Sequence, residues 1–333
     1  MTGSRASLRD MSAPVKIGDE LRGRYVINKV VGRGGMGSIY LAEDNRLSGR
    51  MCAIKEVFQG NDLPDDLQAQ GREQFYREAS VLARLDHPNL PKVSDFFSEV
   101  ERDFLVMDFV PGDDLKSLMD NARKKNQFLP VSDVLGWAVQ LADALEFLHS
   151  QDPPVIHRDI KPSNLKLTPN GLIKLVDFGL VKQMAPDEVT VTVIQGRGTA
   201  TYTPLEQYGG DTGHTDRRSD IYSFGATLYH LLTNQPPAEA KQRFLEANAL
   251  VPPRKINPHV SVAMEAAILW AMELHPDDRP SQVYALRQAL TKGSFPASAA
   301  VAASAIALSG RIERTLAGAA VALLLIALLA SIR

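Results

Sequence analysis

The order of apolar patterns along the chain predicts a two-lobed α+β fold. Three observations carry this reading. Short β-branched and aromatic runs dominate residues 24 to 109, broad helical faces dominate beyond Pro111, and a seam lies near Asp108 to Gly112. In the first part, Tyr25-Val26-Ile27, Ser38-Ile39-Tyr40-Leu41, Cys52-Ala53-Ile54 and Phe104-Leu105-Val106-Met107 read as strands, several parted by Gly or Asp/Asn turns. One helix interrupts them over roughly Gln68 to Leu85, apolar at Phe75, Ala79, Leu82 and Ala83. In the second part Val134, Leu135, Ala138, Val139, Leu141, Ala142, Leu145 and Leu148 give one broad face, with Ser132 as the expected N-cap. Residues 1–17 are small, polar and without period, which reads as a flexible arm. No tandem repeat is visible.

At 333 residues the chain suits one large domain or two lobes sharing a cleft. Hydrophobic residues at 44% and charged residues at 23% exclude a wholly disordered chain. With 37 basic against 39 acidic residues the net charge is −2, so nothing points to nucleic acid as a partner. Cys52, the single cysteine, has no internal disulfide partner, and no Cys/His cluster offers a zinc site. Met1 to Glu20 lacks the apolar core of a signal peptide.

After Leu290 the composition shifts to an Ala/Ser-rich linker, residues 292–314, and then to an expected transmembrane helix, residues 315–332. Leu316 to Ile332 carries no charge. At about 1.5 Å per residue it spans roughly 25 Å, at the short end for a hydrocarbon core of about 30 Å. Lys292, Arg311 and Arg314 precede it and only Arg333 follows, so the expectation is a single-pass C-terminal anchor in the cell membrane with the globular part cytoplasmic. With one residue after the expected span, the expectation is that no external sensor accompanies it. The small residues Ala317, Gly318, Ala319 and Ala320 suit close helix pairing, and hence a homodimer.

Three clusters carry chemistry. Gly32-Arg33-Gly34-Gly35-Met36-Gly37 is a glycine-rich run with strand on both sides, since Ile39-Tyr40-Leu41 continues as strand where a dinucleotide fingerprint would enter a helix. A hairpin of this kind lays backbone N–H groups over phosphates because no side chains block the approach. Lys55 ends the apolar strand Ala53-Ile54-Lys55 and has Glu78, on the expected helix, as a partner. The third cluster is His157-Arg158-Asp159-Ile160-Lys161-Pro162-Ser163-Asn164, followed by Asp177-Phe178-Gly179.

Taken in this order and context, these motifs resemble the Hanks-type serine/threonine protein kinases, and the Gly-Arg-Gly-Gly-Met-Gly form of the loop looks most like the bacterial branch. The resemblance covers residues 24–290 and implies the bilobal protein-kinase-like fold: a small β-rich N-lobe with one helix (about 24–109) and a larger helical C-lobe (about 112–290). It implies ATP and Mg²⁺, with Mn²⁺ as a substitute, and protein Ser/Thr side chains as substrates. Asp159 is then the catalytic base, Lys161 neutralises charge on the transferring phosphoryl group, and Asn164 and Asp177 hold the metal. Lys55, fixed by Glu78, clamps the α- and β-phosphates.

Around the nucleotide, the resemblance implies Val31, Gly32, Gly34, Gly35, Gly37, Ile39 and Ala53 as lining, Met107 as gatekeeper, Asp108-Phe109-Val110 as hinge and Asp114 at the ribose. Leu82, Val93, His157 and Phe178 match a regulatory spine, Asp220 the anchor of the catalytic loop, and Arg279 the partner of Glu206. Thr190 and Thr192 are the expected autophosphorylation sites, answered by Arg158, and Thr199 the substrate-positioning threonine. Two positions depart from the family pattern. Pro204-Leu205-Glu206 replaces Ala-Pro-Glu, and Lys166 stands where an apolar residue commonly floors the adenine pocket. A pseudokinase scaffold and a small-molecule kinase of the same fold are the alternatives. The intact Lys55, Asp159, Asn164 and Asp177 oppose the first, and Lys161 with the segment Gly198 to Glu206 opposes the second.

Overall fold

The computed structural model describes residues 15–34, 37–57, 65–99, 102–177, 200–208, 215–246 and 248–295. Gly35, Phe178, Gly179, Thr190, Thr192, Thr199 and the expected membrane helix lie outside them. No helix among the described residues is long and apolar enough to cross a membrane.

The chain divides into two compact units. The first holds the described residues up to Asp114 together with 164–177; the second holds 115–163 and the described residues from 200 onward. A later segment, 164–177, thus joins the residues of the expected N-lobe in one unit.

The first unit is built on a six-stranded antiparallel sheet in the order β1-β2-β3-β4-β6-β5, from β1 (Glu20–Leu21), β2 (Tyr25–Gly34), β3 (Gly37–Asp44), β4 (Met51–Val57), β5 (Val93–Glu99) and β6 (Arg102–Asp108). Alternation decides its faces. Tyr40, Ala42, Cys52, Ile54, Phe104 and Val106 point to one side and close a core with Tyr25, Ile27 and Phe97. Ile39, Leu41, Ala53, Lys55 and Met107 take the opposite face, in register across β3, β4 and β6. Helix α1 (Asp65–Leu82) packs against β5 and β6 and buries Phe75, Ala79 and Leu82. It lies about one turn earlier than the Gln68 to Leu85 expected, because Arg84 and Leu85 leave the helix through tight turns onto the carbonyls of Val81 and Leu82. The core also begins before residue 24: Val15 and Leu21 are buried in it, so the end of the expected arm is fixed structure. Arg24 ties this edge to Asp44 at 2.7 Å and to Asp95 at 3.4 Å, and the Tyr25 hydroxyl donates to Asp95 at 2.9 Å.

A second sheet of three short strands, β7 (Asp113–Asp114), β8 (Leu165–Leu167) and β9 (Ile173–Leu175), completes this unit. Asn89, just past α1, grips β9 twice. Its amide donates to the Ile173 carbonyl at 2.7 Å, and its own carbonyl accepts from Leu175 N–H at 2.8 Å.

The second unit is helical: α2 (Leu115–Lys124), α3 (Val131–His149), α4 (Arg217–Thr233), α5 (Ala240–Leu245), α6 (Pro253–Ile256), α7 (Val262–Ala271) and α8 (Val283–Lys292). Helix α4 is its centre. Every residue from Ser219 to Thr233 is buried, which is what a helix without a polar face requires. Its start is set by Asp216, whose side chain accepts from Arg218 N–H; Ser261 does the same for α7 through Met264 N–H. Helix α3 departs from expectation at its start. Pro130, not Ser132, is its N-cap, and the Pro130 carbonyl accepts from Asp133 and Val134 N–H at 3.1 Å. Ser132 sits inside the first turn and bonds the Asp133 carboxylate instead.

Candidate active site

In the first unit, β2 and β3 form the glycine hairpin, with Gly34 opposite Gly37 and Gly32 opposite Ile39. Gly37 has φ +138°, and a Cβ there would come within 1.8 Å of the Glu56 carbonyl oxygen. Only glycine lets the hairpin press this closely onto β4. The same packing brings Ile39 directly across from Lys55. Val31 is exposed, Ile39 and Ala53 are half-buried, and Met107 and Val110 are buried; Asp108 and Asp114 follow as half-buried polar positions along β6 and β7.

Lys55 forms an ion pair with Asp177, its side chain only 10% exposed. Asp177 adopts a left-handed backbone, φ 65°, which an aspartate tolerates better than most residues. Val176 N–H donates to the Asn164 carbonyl at 2.8 Å, so the segments bearing Asn164 and Asp177 run side by side. Their amide and carboxylate oxygens are the hard donors that Mg²⁺ takes. Among the described residues no cluster of three or more His, Cys, Asp or Glu forms a closed metal cage. Glu78 sits half-buried on α1, next to the buried Ala79.

In the second unit the loop before Ser163 is held from beneath by Asp220. This carboxylate is fully buried and accepts from His157 N–H at 2.9 Å, Arg158 N–H at 2.8 Å and His149 Nε2 at 2.9 Å. Burial alone would raise its pKa; the His149 hydrogen bond, the nearby histidines and the backbone donors outweigh that and hold it below the usual carboxylate range. Arg158 takes a left-handed φ of 66°, a strain of order 1 kcal/mol that the two backbone bonds to Asp220 offset. Beyond this turn, Lys161 Nζ lies 2.9 Å from the Asp159 carboxylate, both side chains partly open to solvent. Ile160 points inward, fully buried.

The description of the protein kinase domain family matches residues 25–291. The chain belongs to that family. A probable serine/threonine-protein kinase of Streptomyces coelicolor is 36% identical over 315 residues, covering 90% of this chain and 44% of that protein. The probable serine/threonine-protein kinase PknB of Lactococcus lactis is 33% identical over 264 residues, covering 77% of this chain and 40% of the relative. The chain thus spans less than half the length of these relatives. Among solved structures, the kinase domain of Mycobacterium tuberculosis PknI matches with a TM-score of 0.62 and 26% identity, over 84% of this chain and 100% of that one.

The kinase domain bears out the Glu206–Arg279 pairing. Arg279, its side chain fully buried, contacts the two Glu206 oxygens at 2.6 and 3.1 Å and the carbonyls of Glu273, Leu274 and Arg218. Leu82 and Val93 are buried in the first unit and His157 in the second. Three positions that the kinase domain uses were not foreseen from the sequence. Asn89 braces β9 ahead of Asp177, His149 braces Asp220, and His230 meets the Tyr202 hydroxyl at 2.6 Å. Polar residues in otherwise ordinary helix and loop positions give no pattern that marks them.

Proposed function

We propose that this chain is a serine/threonine protein kinase, transferring the γ-phosphoryl group of ATP to Ser and Thr hydroxyls of proteins with Mg²⁺, or Mn²⁺, as cofactor. The observation that carries the reading is the Lys55–Asp177 pair, which joins residues 122 positions apart beside the glycine hairpin. The names of its relatives support the same activity.

ATP supplies the phosphoryl group and the metal spreads its charge. The hairpin N–H groups and Lys55, steadied by Glu78, hold the phosphates, while Asn164 and Asp177 give oxygens to the metal. Asp159 orients the substrate hydroxyl and takes its proton as the new P–O bond forms and the bond to ADP breaks. Lys161 balances charge on the phosphoryl oxygens, and Thr199 steadies Asp159 and Lys161. Autophosphorylation on Thr190 and/or Thr192, with Arg158 as the cation to answer the phosphate, would order the activation segment. Incubation with radiolabelled ATP, Mg²⁺ and a generic basic protein, followed by phosphoamino-acid analysis, tests the whole reading. Label on phosphoserine and phosphothreonine is expected, and an unlabelled substrate would refute it.

Residues 315–332 anchor this kinase in the cell membrane, with the catalytic units cytoplasmic and the helices pairing as a homodimer. The support is the uncharged run Leu316 to Ile332 and the basic residues before it. Carbonate-washed membranes should retain the full chain and release one ending at Leu290. Full-length protein in the soluble fraction would overturn the anchor.

A further inference from the structure

The small sheet β7-β8-β9 has two unlike faces. Leu165, Ile173 and Leu175 fill its buried side. Directly opposed residues share a face, so the register Asp114–Lys166–Lys174 sets three charged side chains in a row on the other side. The turn entering β7 is pressed tightly against β8: Gly112 has φ +102°, and a Cβ there would lie 2.0 Å from the Leu167 carbonyl oxygen. Asp114 and Lys166 are therefore held at fixed spacing. At the far end of the row, Lys174 donates to the Leu90 carbonyl at 2.9 Å. Lys166 is half-buried in the middle, and its side chain takes no hydrogen bond or ion pair from the described residues.

A half-buried ammonium between a cation and an anion is driven toward the anion, here Asp114. The kinase resemblance puts Asp114 at the ribose and Lys166 beneath the base. A ribose hydroxyl meeting both has a carboxylate to donate to and an ammonium to accept from, which satisfies its donor and its acceptor together. We propose that Lys166 is a specificity-determining residue of the nucleotide site, its ammonium acting with the Asp114 carboxylate to hold the ribose hydroxyls of ATP. This rests on the kinase reading above. It also gives a reason for a cation where an apolar floor would otherwise suffice: the stem packs under the base while the charged end reads the sugar.

The test measures binding and KM of the full chain for ATP and 2′-deoxyATP in Mg²⁺. Wild-type protein should prefer ATP by about tenfold, the worth of one charge-assisted hydrogen bond. Lys166→Met keeps the stem and removes the charge. It should lose about tenfold in ATP affinity while its 2′-deoxyATP affinity moves less than about threefold, collapsing the preference. Lys166→Arg should retain it. A wild-type protein that binds the two nucleotides equally overturns the proposal without any variant, and so does a Lys166→Met protein that keeps the preference or weakens both nucleotides alike. Wild-type protein that binds neither nucleotide and transfers no phosphate overturns the kinase reading itself, a result distinct from the other two.

Discussion

Removing the Glu206 carboxylate should be among the most damaging single changes in the helical unit. Arg279 has no exposed side-chain surface, and Glu206 is 9% exposed. In Glu206→Ala the guanidinium keeps the carbonyls of Glu273, Leu274 and Arg218 at 2.7, 2.9 and 3.1 Å but loses its counter-charge. The Ser219 hydroxyl loses its acceptor too. An uncompensated buried charge costs about 3–5 kcal/mol, a large share of the roughly 5–15 kcal/mol that holds a domain folded. Urea unfolding followed by tryptophan fluorescence reads this unit alone, because both tryptophans, Trp137 and Trp270, lie in α3 and α7. With a slope of about 2 kcal/mol per molar, the midpoint should fall by about 1.5–2.5 M. Glu206→Gln, which keeps one acceptor oxygen, should fall between the variant and wild type. A midpoint for Glu206→Ala within about 0.5 M of wild type would refute the reasoning, since it would mean that water or other groups neutralise Arg279.

Burial pushes the His230 pKa down to about 4, with the Asp120 carboxylate opposing the shift. A folded pKa below the unfolded value of about 6.5 means the unfolded chain binds the proton first as pH falls. Stability is therefore complete above about pH 6.5 and declines by the order of 3 kcal/mol toward about pH 4. Wild type should lose stability between about pH 7 and pH 4.5, and His230→Gln should lose much less; parallel losses in the two would contradict the assignment. Lys55→Met should lower turnover by about 10²-fold or more with little change in melting temperature, as loss of a preorganised charge does. Steady-state kinetics within threefold of wild type would remove Lys55 from the phosphate site.

How much was legible in the sequence differs by element. The strands around Tyr40, Ile54 and Val106 were readable as short β-branched and aromatic runs bounded by turn residues; β3 alternates in burial, whereas β6 is buried continuously from Asp103 to Met107. β5 was not, because Asp95 and Ser98 interrupt its apolar positions while bonding to neighbouring strands and helix. The start of α3 was misplaced because a proline carbonyl can accept the first helical bonds as well as a serine can cap them. The residues of the two expected catalytic motifs were legible through their resemblance to the family's motifs. The contacts that hold them were not: Asp177 meeting Lys55 depends on a left-handed turn, and Asp220 gathering His149 with two backbone N–H groups depends on tertiary packing. No local pattern encodes either.

The central claim is tested most directly by comparing wild type with Asp159→Asn in transfer of radiolabel from ATP to a protein substrate, after matching the two by melting temperature. Asp159 is partly exposed and paired with Lys161, so an isosteric amide leaves the packing intact. The account predicts active wild-type protein and a folded variant whose rate falls by about 10²- to 10⁴-fold. A folded variant within about threefold of wild type would contradict it.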